Sequence, residues 1–217
     1  MSDEIDQDLI FESLGRELEM ATEVDKYQLL AKRAKAYRIK RDNRAIGDYI
    51  DIVDGATDKC IVCHAQSMLA LISIEAQELK EALWWAISAL NTNGCQYDAR
   101  MTIGLVLDAS EFHKVAIHYF QSALEIDDSS ELAWLKLAIS FRETMRFSEA
   151  DSAFRKLLEL SQDNPQYNYE CAWNWQLRQD VDDHYDHAKY FYQKALNCNP
   201  SEDMRARIER KLGSIFA

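Results

Sequence analysis

The chain has 217 residues with only 2 Pro and 6 Gly, which leaves little room for anything but helices. Its formal net charge of −12 argues against general nucleic-acid binding, and an odd count of 5 Cys suits reduced thiols in a cytosol. The longest uncharged apolar stretch is far short of a membrane span, and the opening Met-Ser-Asp-Glu-Ile-Asp lacks the basic start of a signal peptide, so cytoplasmic residence is the expectation.

Residues 1–25 are acidic, with Arg16 as the single base. Ile10, Leu14 and Leu18 recur at helical spacing, so a lead helix is expected either to fold back on the first repeat or to pair with a second chain. Residues 26–44 reverse the charge: Lys26, Lys32, Arg33, Lys35, Arg38, Lys40, Arg41 and Arg44 stand against Asp42. Such a run reads as a solvated helix face that offsets the acidic lead; the alternative is a basic docking strip for an acidic partner segment. Tyr27 and Tyr37 are too sparse to stack a run of single-stranded bases, so nucleic acid is not an expected partner.

Cys60-Ile61-Val62-Cys63-His64 carries the spacing at which c-type haem is attached. That chemistry needs export, which nothing here directs, and a zinc site on Cys60, Cys63 and His64 lacks a fourth ligand. Reduced structural thiols at the turn leading into a helix are the expectation, with no cofactor. Cys95 and Cys198 fall near other turns and Cys171 at a core position.

From there the chain repeats with a 34-residue offset. The clearest copy reads Trp134, Leu137, Ala138, Phe141, then Ala150, Phe154 and Leu157. One step back stand Ile103, Gly104, Leu107, Ala116, Phe120 and Ala123; two steps back, Leu69, Ala70, Ala82, Ala86 and Ala89. One step forward stand Cys171, Ala172 and Trp175, then Ala188, Tyr192, Ala195 and Pro200, the second half displaced by an insertion expected at 180–185. A fixed period of this length marks stacked helix pairs. Gly104, Ala138 and Ala172 midway along one helix, and Ala116, Ala150 and Ala188 early on the next, let the two approach closely; Phe120, Phe154 and Tyr192 fill the space beyond. Turn and cap signals fall between: Asp127-Asp128-Ser129-Ser130, Ser148 with Asp151, Asn164-Pro165 and Asn199-Pro200. His184 and His187 beside Asp182, Asp183 and Asp186 read as a hydrophilic inserted loop rather than a metal site. Residues 201–214 form an amphipathic stretch with Met204, Ile208 and Leu212 on one stripe, as a cap for the last apolar face requires.

This skeleton resembles the tetratricopeptide repeat, whose pattern is a Trp, a Leu-Gly pair, a Tyr, a small-aromatic-small series and a Pro. Residues 131–162 carry the resemblance best, and it covers about two-thirds of the chain. It implies an all-α, right-handed solenoid of antiparallel helix pairs, with a divergent helical region at 1–62, repeats at 63–96, 97–130, 131–164 and 165–200, and a capping helix at 201–217. It also implies that the first helix of each pair lines a concave face. The side chains aimed there are then Met68, Leu71, Met101, Leu105, Leu135, Ile139, Arg142, Tyr169 and Trp173, mostly apolar, though several of these positions equally suit inter-repeat core. Family members that hold a partner's C-terminal carboxylate use Lys, Arg and Asn at these places; here Ser67, Leu71, Met101, Thr102 and Leu105 stand instead, so no such clamp is expected. An apolar strip rimmed by charge suits an apolar or amphipathic segment of a protein partner, and flexible Met side chains suit partners that differ in detail. No nucleophile–base constellation or phosphate loop is visible. The reading is a non-enzymatic protein-binding module, as adaptor, co-chaperone or secretion chaperone. Its rival is a self-assembly module in which the strip receives a second copy to give a homodimer or larger oligomer.

Overall fold

The chain turns wherever a helix can be closed by its own backbone or capped by a short polar side chain. The structure, a computed structural model, describes residues 13–19, 21–178 and 180–215, and among these it shows helices and no strand. They belong to two compact units, Met1–Ser110 and Glu111–Ala217.

In the first unit a helical segment at 13–19 precedes α1 (Glu23–Ile39), α2 (Arg44–Gly55), α3 (Lys59–Glu75), α4 (Leu79–Thr92) and α5 (Gln96–Ala109). Each of α1 to α4 packs on the helix that follows it, and α3 also touches α1 and α5. Leu30, Ala34 and Tyr37 of α1, Ala45, Tyr49 and Ile52 of α2, and Ala65 and Leu69 of α3 form one buried cluster. Their spacing of three or four residues puts them on one face of each helix. Leu18 packs against the same cluster, so the lead segment folds back on the first helices; Ile10 lies outside the described residues. Cys63, Ala89 and Ala99 make a second, smaller cluster. The Asp58 carboxylate caps α3 by accepting the N–H groups of Cys60 at 2.8 Å and Ile61 at 3.4 Å.

The second unit holds α6 (His113–Leu124), α7 (Glu131–Glu143), α8 (Phe147–Leu160), α9 (Pro165–Leu177), α10 (His184–Asn197) and α11 (Glu202–Ile215). Each helix again packs on the next, and α7 also touches α9. Ser130 caps α7 through the Ala133 N–H, and Asn164 caps α9 through the N–H groups of Gln166 and Tyr167, with Pro165 at the first helical position. Tyr169, Ala172, Ala188, Tyr192, Ala195 and Ile208 form one buried cluster, with Met204, Leu212 and Ile215 packed on it. The stripe on α11 therefore packs against the apolar faces of α9 and α10.

Three tight reversals share one construction. The N–H groups of Asp42, Glu78 and Arg146 reach back to the carbonyls of Tyr37, Ser73 and Phe141 at 2.8–2.9 Å. The residues just before them, Arg41, Gln77 and Met145, stand at φ 55°, 63° and 59°. This is the left-handed closure that helices usually give to glycine, and none of the three is glycine. It also corrects one expectation. Ser148 is not a helix cap: α8 already begins at Phe147, with Arg146 at the cap position and no side-chain cap bond. Backbone closure after Met145 starts the helix earlier, and the Ser148 carbonyl accepts the Ser152 hydroxyl instead. The extra residues near 180–185 take the form of a longer link at 178–183, after which α10 has already begun.

Gly104 is buried, and Ala116, Ala138, Ala150, Ala172 and Ala188 have no exposed surface at all. Phe120, Phe154 and Tyr192 are equally enclosed. Ala138→Leu is expected to destabilise the chain by about 1–3 kcal/mol through overpacking, read from the midpoint of urea denaturation. An unchanged midpoint would mean that the site has room the packing denies.

Candidate functional site

Among the described residues, no group of three or more His, Cys, Asp or Glu side chains is placed to hold a metal ion. No helix there is long and apolar enough to cross a membrane. His187 stacks on Trp175 with ring centroids 4.2 Å apart and reaches Asp183 at 3.2 Å, while His184 Nδ1 lies 2.6 Å from the Val181 carbonyl. Both histidines thus help to close the 178–183 link. His64 faces Asp98 at 3.4 Å.

Three arginines of the basic run at 26–44 are paired within their own unit. Arg33 holds Asp48 through two hydrogen bonds of 2.9 and 2.6 Å, Arg38 reaches Glu75 at 2.7 Å, and Arg44 reaches Asp42 at 2.6 Å. The guanidiniums of Arg33 and Arg44 also lie over the Tyr37 ring, at 5.9 and 4.4 Å. The nearby Asp48 carboxylate raises Arg33 above the ordinary range of its type, against the cost of burial. These three arginines serve the packing of α1 on α2 and α3, which leaves less for an acidic partner.

The apolar positions picked out on the first helix of each pair divide between the units. In the first unit Met68 is half-buried against the α1–α3 cluster, with its sulfur 3.8 Å from Arg38 Nη1. Leu71 and Leu105 are half-buried and Met101 is buried. In the second unit Leu135, Ile139 and Trp173 are half-buried, while Arg142 and Tyr169 are buried. Met101, Arg142 and Tyr169 therefore offer a partner almost no surface of their own.

What Arg142 does is visible in its partners. Its Nη1 donates to Glu170 Oε2 at 2.8 Å and its Nε to Glu143 Oε1 at 3.4 Å, while Glu170 Oε1 accepts from Gln166 Nε2 at 2.7 Å. The pair of Arg142 and Glu170 links α7 to α9, and its side chains are 3% and 8% exposed, so each charge depends on the other. The same guanidinium covers one ring, 4.2 Å from the centroid of Trp173. From α11, Lys211 approaches that ring at 4.7 Å and Arg207 approaches Tyr169 at 5.0 Å. Tyr169 and Trp173 stand four apart on α9, and Arg207 and Lys211 four apart on α11, so two helices meet in matching steps. Gln176 continues the contact, donating to Ser214 Oγ at 3.2 Å and accepting from the Tyr192 hydroxyl at 2.8 Å. The four-residue spacing on α11 was present in the sequence, but nothing there said which aromatic pair it would meet.

Beside Trp173 the second unit opens into a cleft of about 860 Å³, lined by Arg142, Glu143, Met145, Arg146, Phe147, Ser148, Glu149, Trp173, Leu177 and Asp180. Met145 is 80% exposed and Leu177 42%. Both follow from the turns: Met145 is the left-handed residue between α7 and α8, and Leu177 ends α9. Arg146 is paired with Glu149 at 2.9 Å and Arg178 with Asp180 at 3.0 Å. The rim is therefore ionic and locally neutralised, and the apolar part is Met145, Phe147, Trp173 and Leu177.

No family model matches the chain, and no curated protein matches it. Solved structures do. The protein YrrB, described as a TPR protein with an unusual peptide-binding site, superposes with a TM-score of 0.63 at 17% identity, over 92% of this chain and 99% of its own. TTC0263 of Thermus thermophilus, a thermophilic TPR protein, gives 0.68 at 16% identity, over 86% and 98%. The APC/C hetero-tetramer of Cut9 and Hcn1 gives 0.79 at 14% identity, over 98% of this chain and 40% of that one. The fold is all-α and of the tetratricopeptide type.

The buried ion pair gives a direct test. Glu170→Ala strands the Arg142 charge and is expected to cost about 3–5 kcal/mol in urea denaturation, whereas Arg142→Leu combined with Glu170→Leu is expected to restore most of that loss. A cost below about 1 kcal/mol for the single change would mean that water reaches the pair.

Proposed function

We propose that this tetratricopeptide-type chain is a non-enzymatic protein-binding module and that its second unit receives an apolar or amphipathic segment of another chain in the cleft beside Trp173. One observation carries the reading: two residues picked out from the sequence, Arg142 and Trp173, line that cleft together with the exposed Met145 and Leu177. Apolar side chains left open next to an aromatic ring, with a rim of paired charges, suit a partner side chain that brings its own hydrophobic surface. The largely buried Tyr169 and Arg142 each contact the Trp173 ring and hold it in position. Within the first unit, Met68, Leu71, Met101 and Leu105 are the corresponding positions, with Met101 buried and the other three half-buried. In the second unit Leu135 and Ile139 extend the apolar positions along α7.

The similarity to a TPR protein with a peptide-binding site supports a peptide or protein partner. Adaptor, co-chaperone and secretion-chaperone roles all need such a surface, and a small acidic chain with an apolar strip resembles the last of these most. The five free thiols favour a reducing compartment, the cytoplasm.

A random peptide library displayed on phage tests the proposal. Selection on the full chain is expected to enrich sequences with apolar residues at regular spacing. Trp173→Ala and Met145→Glu are each expected to weaken a selected peptide by roughly 10- to 100-fold while helix content stays unchanged. Arg38→Glu, which removes the Glu75 ion pair and the Met68 contact but lies in the first unit, is expected to leave affinity for the second-unit cleft within about twofold. Peptides that bind Arg38→Glu poorly and Trp173→Ala normally would place the docking surface on α1 instead.

A further inference from the structure

Two segments 35 residues apart in sequence meet at the start of α3, where the Gly94 backbone lies against that of Lys59 and Cys60. A Cβ placed on Gly94 would fall on the Lys59 carbonyl and lie 2.8 Å from the Cys60 nitrogen. Only glycine lets the loop between α4 and α5 lie so close to the first turn of α3. The contact gathers three thiols. Cys95 Sγ points at the Cys60 carbonyl, 3.8 Å away. The Cys63 thiol donates to the Cys95 carbonyl at 3.4 Å. Their access to solvent differs: Cys60 is exposed, Cys95 is half-buried and Cys63 is buried.

We propose that Cys60 and Cys95 form a reversible thiol–disulfide site that exchanges with small-molecule disulfides of the glutathione type. The exposed Cys60 reacts first. Its thiolate attacks one sulfur of oxidised glutathione, forming a mixed disulfide and releasing a glutathione thiolate, which takes up a proton. Cys95 then gives up its proton and its sulfur attacks Cys60 Sγ, which expels the second glutathione as a thiolate that is protonated in turn. Two protein thiols are oxidised and one glutathione disulfide is reduced to two thiols. Burial and the neighbouring Cys60 thiol push the Cys95 thiol up to about 12, which makes it a poor first attacker and suits it to the second step, where proximity replaces acidity. Cys63, whose thiol burial also raises, has no access to a disulfide in solution. The product closes a ring around the α3–α4 hairpin and fixes the α4–α5 loop on α3.

The test uses the full chain exposed to excess oxidised glutathione, followed by digestion without reductant and mass spectrometry. The expected result is the loss of two of the five thiols and a peptide pair joined through residues 60 and 95. Dithiothreitol is expected to reverse it. Cys60 and Cys63 fall on one tryptic peptide, so Cys63→Ala, which is expected to keep the link, and Cys60→Ser, which is expected to abolish it, fix the assignment. The oxidised chain is expected to melt about 5 °C or more above the reduced one, and Cys95→Ser is expected to lose that gain. A Cys60–Cys63 link, a lasting glutathione adduct on Cys60, disulfide-joined dimers or no thiol loss would each overturn the proposal.

Discussion

Two helices can run side by side at close range only where the side chains between them are small, and the rest of this structure depends on that steric limit. Ala138 and Ala150, and likewise Ala172 and Ala188, carry no exposed surface. Once a helix pair is drawn together at such points, little freedom is left for the side chains one turn away. Phe120, Phe154 and Tyr192 sit at that distance and are fully enclosed. In the second unit the effect can be followed directly. Ala172 and Ala188 share a cluster with Tyr169 and Tyr192, whose rings lie 5.7 Å apart. A larger residue at either alanine would push those rings out of reach of α11.

Charge has a different task from holding the helices together. A buried pair such as Arg142 and Glu170 contributes little net stability once desolvation is counted, yet it tolerates few other arrangements. It fixes how α7 meets α9, and through Arg142 it fixes where the Trp173 ring lies. Arg33 with Asp48 does the same for α1 and α2, with Tyr37 as the ring. In both units a guanidinium joins one helix to another and lies over an aromatic face. Arginine suits both tasks because its planar fork can bond at the edge while its face stacks.

How much of this could be read in the sequence depends on how local each cause is. The small residues were legible because sterics repeats with the helix pair. Ser130 and Asn164 were legible as caps because a cap bonds within three residues of itself. Ser148 misled for a related reason: the true closure passes through Met145 in a left-handed conformation, and methionine gives no sign of it. The register of the resemblance picked out Arg142, Tyr169 and Trp173 and left groove or inter-repeat core open for the two aromatics; it could not give the burial of Arg142 and Tyr169. That burial depends on Glu170, 28 residues beyond Arg142, and on α11, whose approach no period announces. The basic run shows the same limit, since the carboxylates that occupy Arg33 and Arg38 stand 15 and 37 residues away.

The helix contacts within each unit join a helix to its neighbour or to the next but one. Such a network has no central keystone, so its stability is a sum of short-range terms and its ends can open without the rest. In the second unit the last described helix is α11, which packs on α10 and reaches α9 through Arg207, Lys211 and Ser214. Fraying of this one helix strips a cation from each of two aromatic rings while leaving α9 anchored to α7 by its ion pair. The rate at which Lys211 leaves the Trp173 ring is then set by the local opening of α11 and not by the lifetime of the fold.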